Sequence, residues 1–279
     1  MNTDRLMHLA LTMADLTEIP GDSAIYVPGE GIERVLMGID LESPELMMAK
    51  EMGFDAVLSH HPAGGSAKLR FYEVLYRHVQ QMVSAGVPEA QARRTVEAWA
   101  EEQRVLASIS NYDHNPSVAR TLRMPYLNIH TPLDEIGRRR LQAAADEVPS
   151  ESSVSTLIDH LHGRFCEFQH AQTSIELRIG KPEAKVGRVV MSHGAGTNGG
   201  YRVAKAYFDA GVDTVIYIHC RPADAERLRA EYGEGKSLIV TGHIASDSIG
   251  INPYIERLQA EGIAVTAISG ILPSECGAR

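Results

Sequence analysis

With 279 residues, 44% of them hydrophobic and 23% charged, the chain has an ordinary soluble composition and length enough for one large domain or two lobes. The net charge of −9 argues against nucleic acid as the main partner, since phosphate binding requires a basic footprint, and Arg138-Arg139-Arg140 reads as a solvated helix face. Cys166, Cys220 and Cys276 are odd in number, widely spaced and without a CxxC, which excludes a thiolate-built zinc site and fits a reducing cytoplasm; no run approaches the ~20 apolar residues of a membrane span, and Asp15 and Glu18 interrupt any signal-peptide pattern.

In chain order, residues 3–16 carry leucine, methionine and alanine at helical spacing behind Thr3 as a cap, with His8 as a packing or surface residue. Ile19-Pro-Gly-Asp breaks that pattern. Residues 34–40 read as a strand, and Ser43-Pro44 opens a helix that runs through Met47, Met48 and Met52 to a stop at Gly53. The short apolar run at 55–59 reads as an inner strand, so 34–59 form a right-handed β-α-β unit. That strand ends in His60-His61-Pro62, and the carboxyl ends of such strands are where open α/β sheets collect ligands.

Residues 66–106 read as two amphipathic helices forming a hairpin that lids the site, with His78 structural. Asn111-Tyr-Asp113-His114-Asn-Pro116 is a turn, a simpler reading for Asp113 and His114 than metal ligation. Pro125 to His130 repeats the earlier logic of a strand ending in histidine, and Thr131-Pro132-Leu133-Asp134 starts a helix, with Asp134 either a capping carboxylate or a ligand. Residues 1–150 thus form an N-terminal α/β lobe with a helical insertion at 66–106, residues 151–185 a connecting segment with a short helix near Thr156–Leu161, a strand near Ser174–Ile179 and incidental His160, His162 and His170, and residues 186–279 a C-terminal α/β lobe. In the last, strands at 188–192, 214–218 and 237–240 alternate with helices, and Ala264 to Ile268 closes the sheet. The fold class is α/β: two similar lobes whose largely parallel or mixed sheets are flanked by helices.

Two constellations carry chemistry. Gly194-Ala-Gly196-Thr-Asn-Gly199 has the dinucleotide fingerprint between a strand and a helix, but the acid that should close the next strand is missing, since Asp213 opens it and Ile218-His219 ends it. A glycine turn for close packing is the better reading, and its backbone N–H groups offer a cradle for an anion. The second constellation is His60, His61, Asp134 and Gly242-His243-Ile-Ala-Ser-Asp247, where His243 and Asp247 share one helix face. Imidazole and carboxylate without thiolate suit zinc, iron, manganese, cobalt or nickel. The donors exceed the needs of one open tetrahedral ion and suit two divalent ions about 3.5–4 Å apart that share a carboxylate and activate a water between them.

Ile39-Asp40, Phe54 to Pro62, His130-Thr-Pro-Leu-Asp134 and Gly242 to Asp247 stand in the order found in the Ngg-one-interacting-factor-three-like proteins, often labelled type-two GTP cyclohydrolase homologues, which the chain resembles over 30–140 and 186–260. The resemblance implies a dinuclear metal centre between two lobes, a homohexameric toroid, and His60, His61, Asp134, His243 and Asp247 as ligands. It places His130 beside the metals, on the substrate side or supporting a ligand. Two features depart from the family: Asp247 stands where glutamate is usual, shorter by roughly 1.5 Å of reach, and the 66–106 helices replace a compact loop. Two functions follow as expectations: a metal-dependent hydrolase of a small phosphorylated or nucleotide-like molecule, GTP cyclohydrolase-type activity included, or a non-catalytic metal-holding scaffold or regulatory protein. Either would be cytoplasmic, with no membrane partner.

Overall fold

The structure is a computed structural model and describes residues 1–276. Helix α1 (Thr3–Met13) is capped by Asn2, whose side-chain oxygen accepts the Arg5 N–H at 2.8 Å, one residue before the expected Thr3. A strand without a sequence signal follows, β1 (Ala24–Val27), then the expected β2 (Arg34–Gly38), α2 (Ser43–Glu51) and β3 (Ala56–Ser59). Helix α2 opens in a capping box of Glu42 and Glu45 with Pro44 in its first turn. The helix expected after His-His-Pro is broken into α3 (Gly65–Leu69), α4 (Phe71–Val74) and α5 (Arg77–Ser84), ahead of α6 (Glu89–Ser108) and α7 (His114–Leu122). Strand β4 (Tyr126–Asn128) leads into α8 (Thr131–Asp146). The stretch read as a connector holds α9 (Val154–Arg164), α10 (Cys166–His170) and β5 (Glu176–Ile179). Then come β6 (Val189–Met191), α11 (Gly200–Asp209), β7 (Thr214–Tyr217), α12 (Pro222–Tyr232), β8 (Ser237–Val240), α13 (His243–Ala260) and β9 (Ala264–Ile268).

Two compact units interleave along this sequence, in contrast to the contiguous lobes at 1–150 and 186–279. The first takes Met1–Val74, Ala100–Ile136 and Gly250–Ile271; the second takes Leu75–Trp99, Gly137–Ile249 and the chain from Leu272. Strand β9, expected to close the second sheet, lies parallel to β2 in the first, paired from Arg34↔Ala264 to Gly38↔Ile268.

The first unit's sheet runs β1-β4-β3-β2-β9, with β1 antiparallel and the rest parallel. Its inner strands are apolar on both faces: Val35, Met37 and Leu58 pack into one core with Leu6 and Tyr254, while Leu36 and Val57 pack into another with Leu46 and Tyr126. The second unit's sheet runs β5-β8-β7-β6, again with one antiparallel edge strand beside three parallel ones. Its core joins Met191, Ile216 and Ile239 to Leu141, Leu161, Phe165 and Ile249. Apart from β9 the two sheets share one topology, so β1 to β4 of the first unit correspond in turn to β5 to β8 of the second.

Wide spacing in sequence does not keep the cysteines apart: Cys166 and Cys276 form a disulfide with a Cα–Cα distance of 5.0 Å, and Cys220 is the free thiol. No helix among the described residues is long and apolar enough to cross a membrane. Thiol titration of the denatured, unreduced protein should therefore find one thiol per chain, rising to three after reduction; three before reduction would contradict the cross-link. A second test concerns His78 on α5, which is fully buried with its ring 5.6 Å from that of Trp99. Burial pushes its pKa from 6.5 down to about 3. The native state keeps this ring neutral while the unfolded chain takes up a proton below pH 6.5, so stability is lost as pH falls from there. Denaturant melts of His78→Leu should show a loss between pH 8 and pH 5 smaller than that of the parent by about 2 kcal/mol, and equal losses would refute this.

Candidate metal centre

In the first unit the backbone ladder outruns β3. His60 N–H donates to Gly38 O at 2.8 Å and His61 N–H to Ile39 O at 2.9 Å, so hydrogen bonds to the neighbouring strand fix both histidines at the sheet's carboxyl edge. The side chains do not diverge as a continued strand would direct them: their ring centroids are 5.1 Å apart, with His60 fully buried and His61 partly exposed. His130 follows β4, and its carbonyl accepts the N–H groups of Leu133 and Asp134 in the first turn of α8. Asp134 is therefore carried inward by a helix start, and it is 2% exposed.

Each of the three imidazoles is anchored through Nδ1 to an oxygen. His60 Nδ1 lies 3.0 Å from Ile129 O, His61 Nδ1 2.7 Å from Asp40 Oδ1, and His130 Nδ1 2.8 Å from Asp22 Oδ2. A carbonyl or ionised carboxylate only accepts, so Nδ1 carries the proton in all three and the neutral ring presents a lone pair at Nε2. His60 Nε2 faces Asp134 Oδ1 at 3.1 Å, and His130 Nε2 faces Asp134 Oδ2 at 3.6 Å. Ligating nitrogens of His60, His61 and His130 lie within 4.8 Å of one another. Nitrogen lone pairs turned toward a carboxylate repel unless a cation is shared among them, and Nδ1 held by an oxygen is the usual second partner of a metal-bound histidine. The donor set fits a divalent transition ion.

Asp22 carried no signal in the sequence beyond a turn. It is fully buried, accepts Thr131 Oγ1–H at 2.7 Å as well as the His130 ring, and is positioned by Asn128, whose Nδ2 donates to Asp22 O at 2.8 Å and whose Oδ1 accepts Ala24 N–H. The unforeseen β1 is what brings it there, and a four-residue edge strand leaves too little pattern to read.

The second unit supplies a separate pair. Gly242, at φ +101°, makes the turn into α13. His243 opens that helix and Asp247 lies one turn on, with Nε2 3.2 Å from Asp247 Oδ2; the carboxylate is buried and the imidazole 43% exposed. Beside His243, at a ring-centroid distance of 4.8 Å, stands His219. The Gly194–Gly200 turn is filled by its own partners. Asn198 Oδ1 accepts the N–H groups of Ile218 and His219, while Arg77 and Gln81 of α5 donate to the carbonyls of Gly194 and His193. Gly199, at φ +87°, has no room for a Cβ, which would lie 2.2 Å from Val203 Cγ2. This is a packing turn whose carbonyls and Asn198 side chain are engaged by the protein itself. The helices of the expected hairpin, α5 and the first half of α6, belong to the second unit, where α5 covers this turn.

The bland histidines stay so: His8 is exposed, His160 pairs with Glu147, and His170 bonds to Glu275 O. Asp113 is clamped by Arg120, and His114 begins α7 beside Ser43.

No family model and no curated protein matches the chain. Among solved structures it is similar to a NIF3 superfamily protein from Sphaerobacter thermophilus, 48% identical over 97% of this chain and 98% of that one, with a TM-score of 0.92. The fold is also that of reduced HcgD from Methanocaldococcus jannaschii (12% identity, 96% and 97% coverage, TM-score 0.60) and of TTHA1606 from Thermus thermophilus (13%, 96% and 98%, 0.57). NIF3 abbreviates the Ngg-one-interacting-factor-three family that the sequence motifs resemble, and this chain belongs to the NIF3 superfamily.

Proposed function

We propose that the chain is a divalent-metal-dependent hydrolase with a dinuclear centre, acting on a small phosphorylated or nucleotide-like molecule. The observation that carries the reading is the cluster of three Nδ1-anchored imidazoles, two of which, His60 and His130, face the buried carboxylate of Asp134. One proton relieves one such contact, whereas a divalent cation relieves several at once. His60, His61 and Asp134 would hold metal from the first unit, and His243 and Asp247 from the second. The second pair alone offers two donors, too few for a tetrahedral site. Zinc, iron, manganese, cobalt and nickel all suit these donors. When bound, such ions polarise an ester or amide and lower the pKa of water toward neutrality.

The chain's own contribution is proton handling and orientation. His130 is proposed to carry the proton: its Nδ1–H is held by the buried Asp22 carboxylate, which would stabilise the imidazolium formed when Nε2 accepts a proton. Asp40 and the Ile129 carbonyl fix the orientation of the His61 and His60 rings. Cytoplasmic location and a homohexamer remain proposals that rest on family membership.

Protein loaded with zinc or manganese is expected to turn over members of a panel of phosphate esters, cyclic nucleotides and nucleoside triphosphates, and chelated protein none of them. If chelation lowers the melting temperature but the loaded protein is inert across the panel, the non-catalytic scaffold reading replaces this one. Asp22→Asn should retain its metal and lose roughly 10²-fold in kcat, with KM little changed and the acidic limb of the pH profile displaced. An unchanged profile would remove His130 from proton transfer.

A further inference from the structure

We infer that His219 is a substrate-contacting residue that donates a hydrogen bond to an oxyanion of the substrate beside the metal held by His243. The inference rests on the dinuclear reading and adds to it a substrate feature and a residue outside the ligand set. It starts from the internal duplication. In the first unit Asp55 accepts the backbone N–H of Arg34, while its own N–H donates to Arg34 O at 2.9 Å; in the second, Asp213 accepts the N–H of Arg188 and donates to Arg188 O at 2.9 Å. Each aspartate follows a glycine of positive φ, Gly53 or Gly211, and each opens the central strand of its unit. Counting onward from these matched aspartates, His61 and His219 fall at the same position past the ends of β3 and β7. The position that gives a ligand-set histidine in the first unit gives another histidine in the second.

The local geometry directs that ring to the site. Past β7 and β8 the ladder continues, with Thr241 N–H bonded to Tyr217 O and Gly242 N–H to Ile218 O, so the residues that follow, His219 and His243, leave the sheet side by side. Their rings meet edge to face at 64°, and Asn198 fixes the His219 backbone. His219 is exposed. An exposed neighbour of a candidate ligand is placed to touch what the metal binds. An imidazole N–H donates to anions, and exposed Arg221 adds positive charge at the same strand end.

The test uses the full chain loaded with cobalt, inorganic phosphate as the probe, and two variants, His219→Ala and His219→Gln. Elemental analysis gives the metal content, and the visible cobalt spectrum followed through a phosphate titration gives the affinity. Both variants should hold as much cobalt as the parent, with the same spectrum before phosphate. The dissociation constant for phosphate should rise about tenfold in the alanine variant, the loss of one charge-assisted hydrogen bond, with partial recovery in the glutamine variant. Equal phosphate affinity in parent and variants, no phosphate binding by the cobalt-loaded parent, or loss of cobalt from both variants would each overturn the inference. A parent that takes up no cobalt would instead refute the dinuclear reading, and the inference with it.

Discussion

The site depends on which ring nitrogen of each histidine the fold has already engaged. Ile129 O, Asp40 and Asp22 each accept an Nδ1 proton, which leaves Nε2 of His60, His61 and His130 to the cluster the three rings form, with Asp134 facing His60 and His130. Burying a carboxylate and an imidazole together is costly unless charge is compensated. The sheet bears that cost because its parallel ladder continues past Ser59 and fixes His60 and His61 through the backbone. Orientation by backbone and by acceptor oxygens makes the arrangement a property of the fold rather than of a flexible loop.

The two units use the same sheet differently. The first puts two histidines after β3 and an aspartate in the first turn of the helix that follows β4; the second puts isoleucine and histidine after β7 and begins the helix that follows β8 with His243. In the first, polar side chains hold polar side chains, through Asp22, Asn128 and Thr131. In the second, the equivalent edge is packed by a glycine turn whose Asn198 holds backbone amides instead. One unit thus carries most of the ligand chemistry and the other carries a smaller complement on a more exposed edge.

Much of this was legible in the sequence. Strands β3, β7 and β8 are short, apolar and bounded by turns because they are interior strands, and the residues just past them are where polar groups become functional. The boxes around His60, His130 and His243 are local, so local reading found them. What escaped was set by long-range contact. Asp22 meets His130 across more than a hundred residues and through an edge strand too short to show alternation. Strand β9 has an ordinary strand pattern that does not say which sheet it joins, and the Cys166–Cys276 bridge closes over a separation of 110 residues. The breaks between α3, α4 and α5 fall inside a stretch with uninterrupted helical periodicity, which pattern reading takes as one helix.

The central claim is that these side chains bind a pair of transition-metal ions, and anomalous diffraction from crystals of the metal-loaded protein tests it most directly. The account predicts two anomalous peaks per chain, with His60 Nε2, His61 Nε2 and Asp134 among the bonded atoms in the first unit and His243 and Asp247 among those in the second. No peak at Asp134, or a peak that leaves His60 Nε2 bonded only to a proton shared with Asp134, would contradict it.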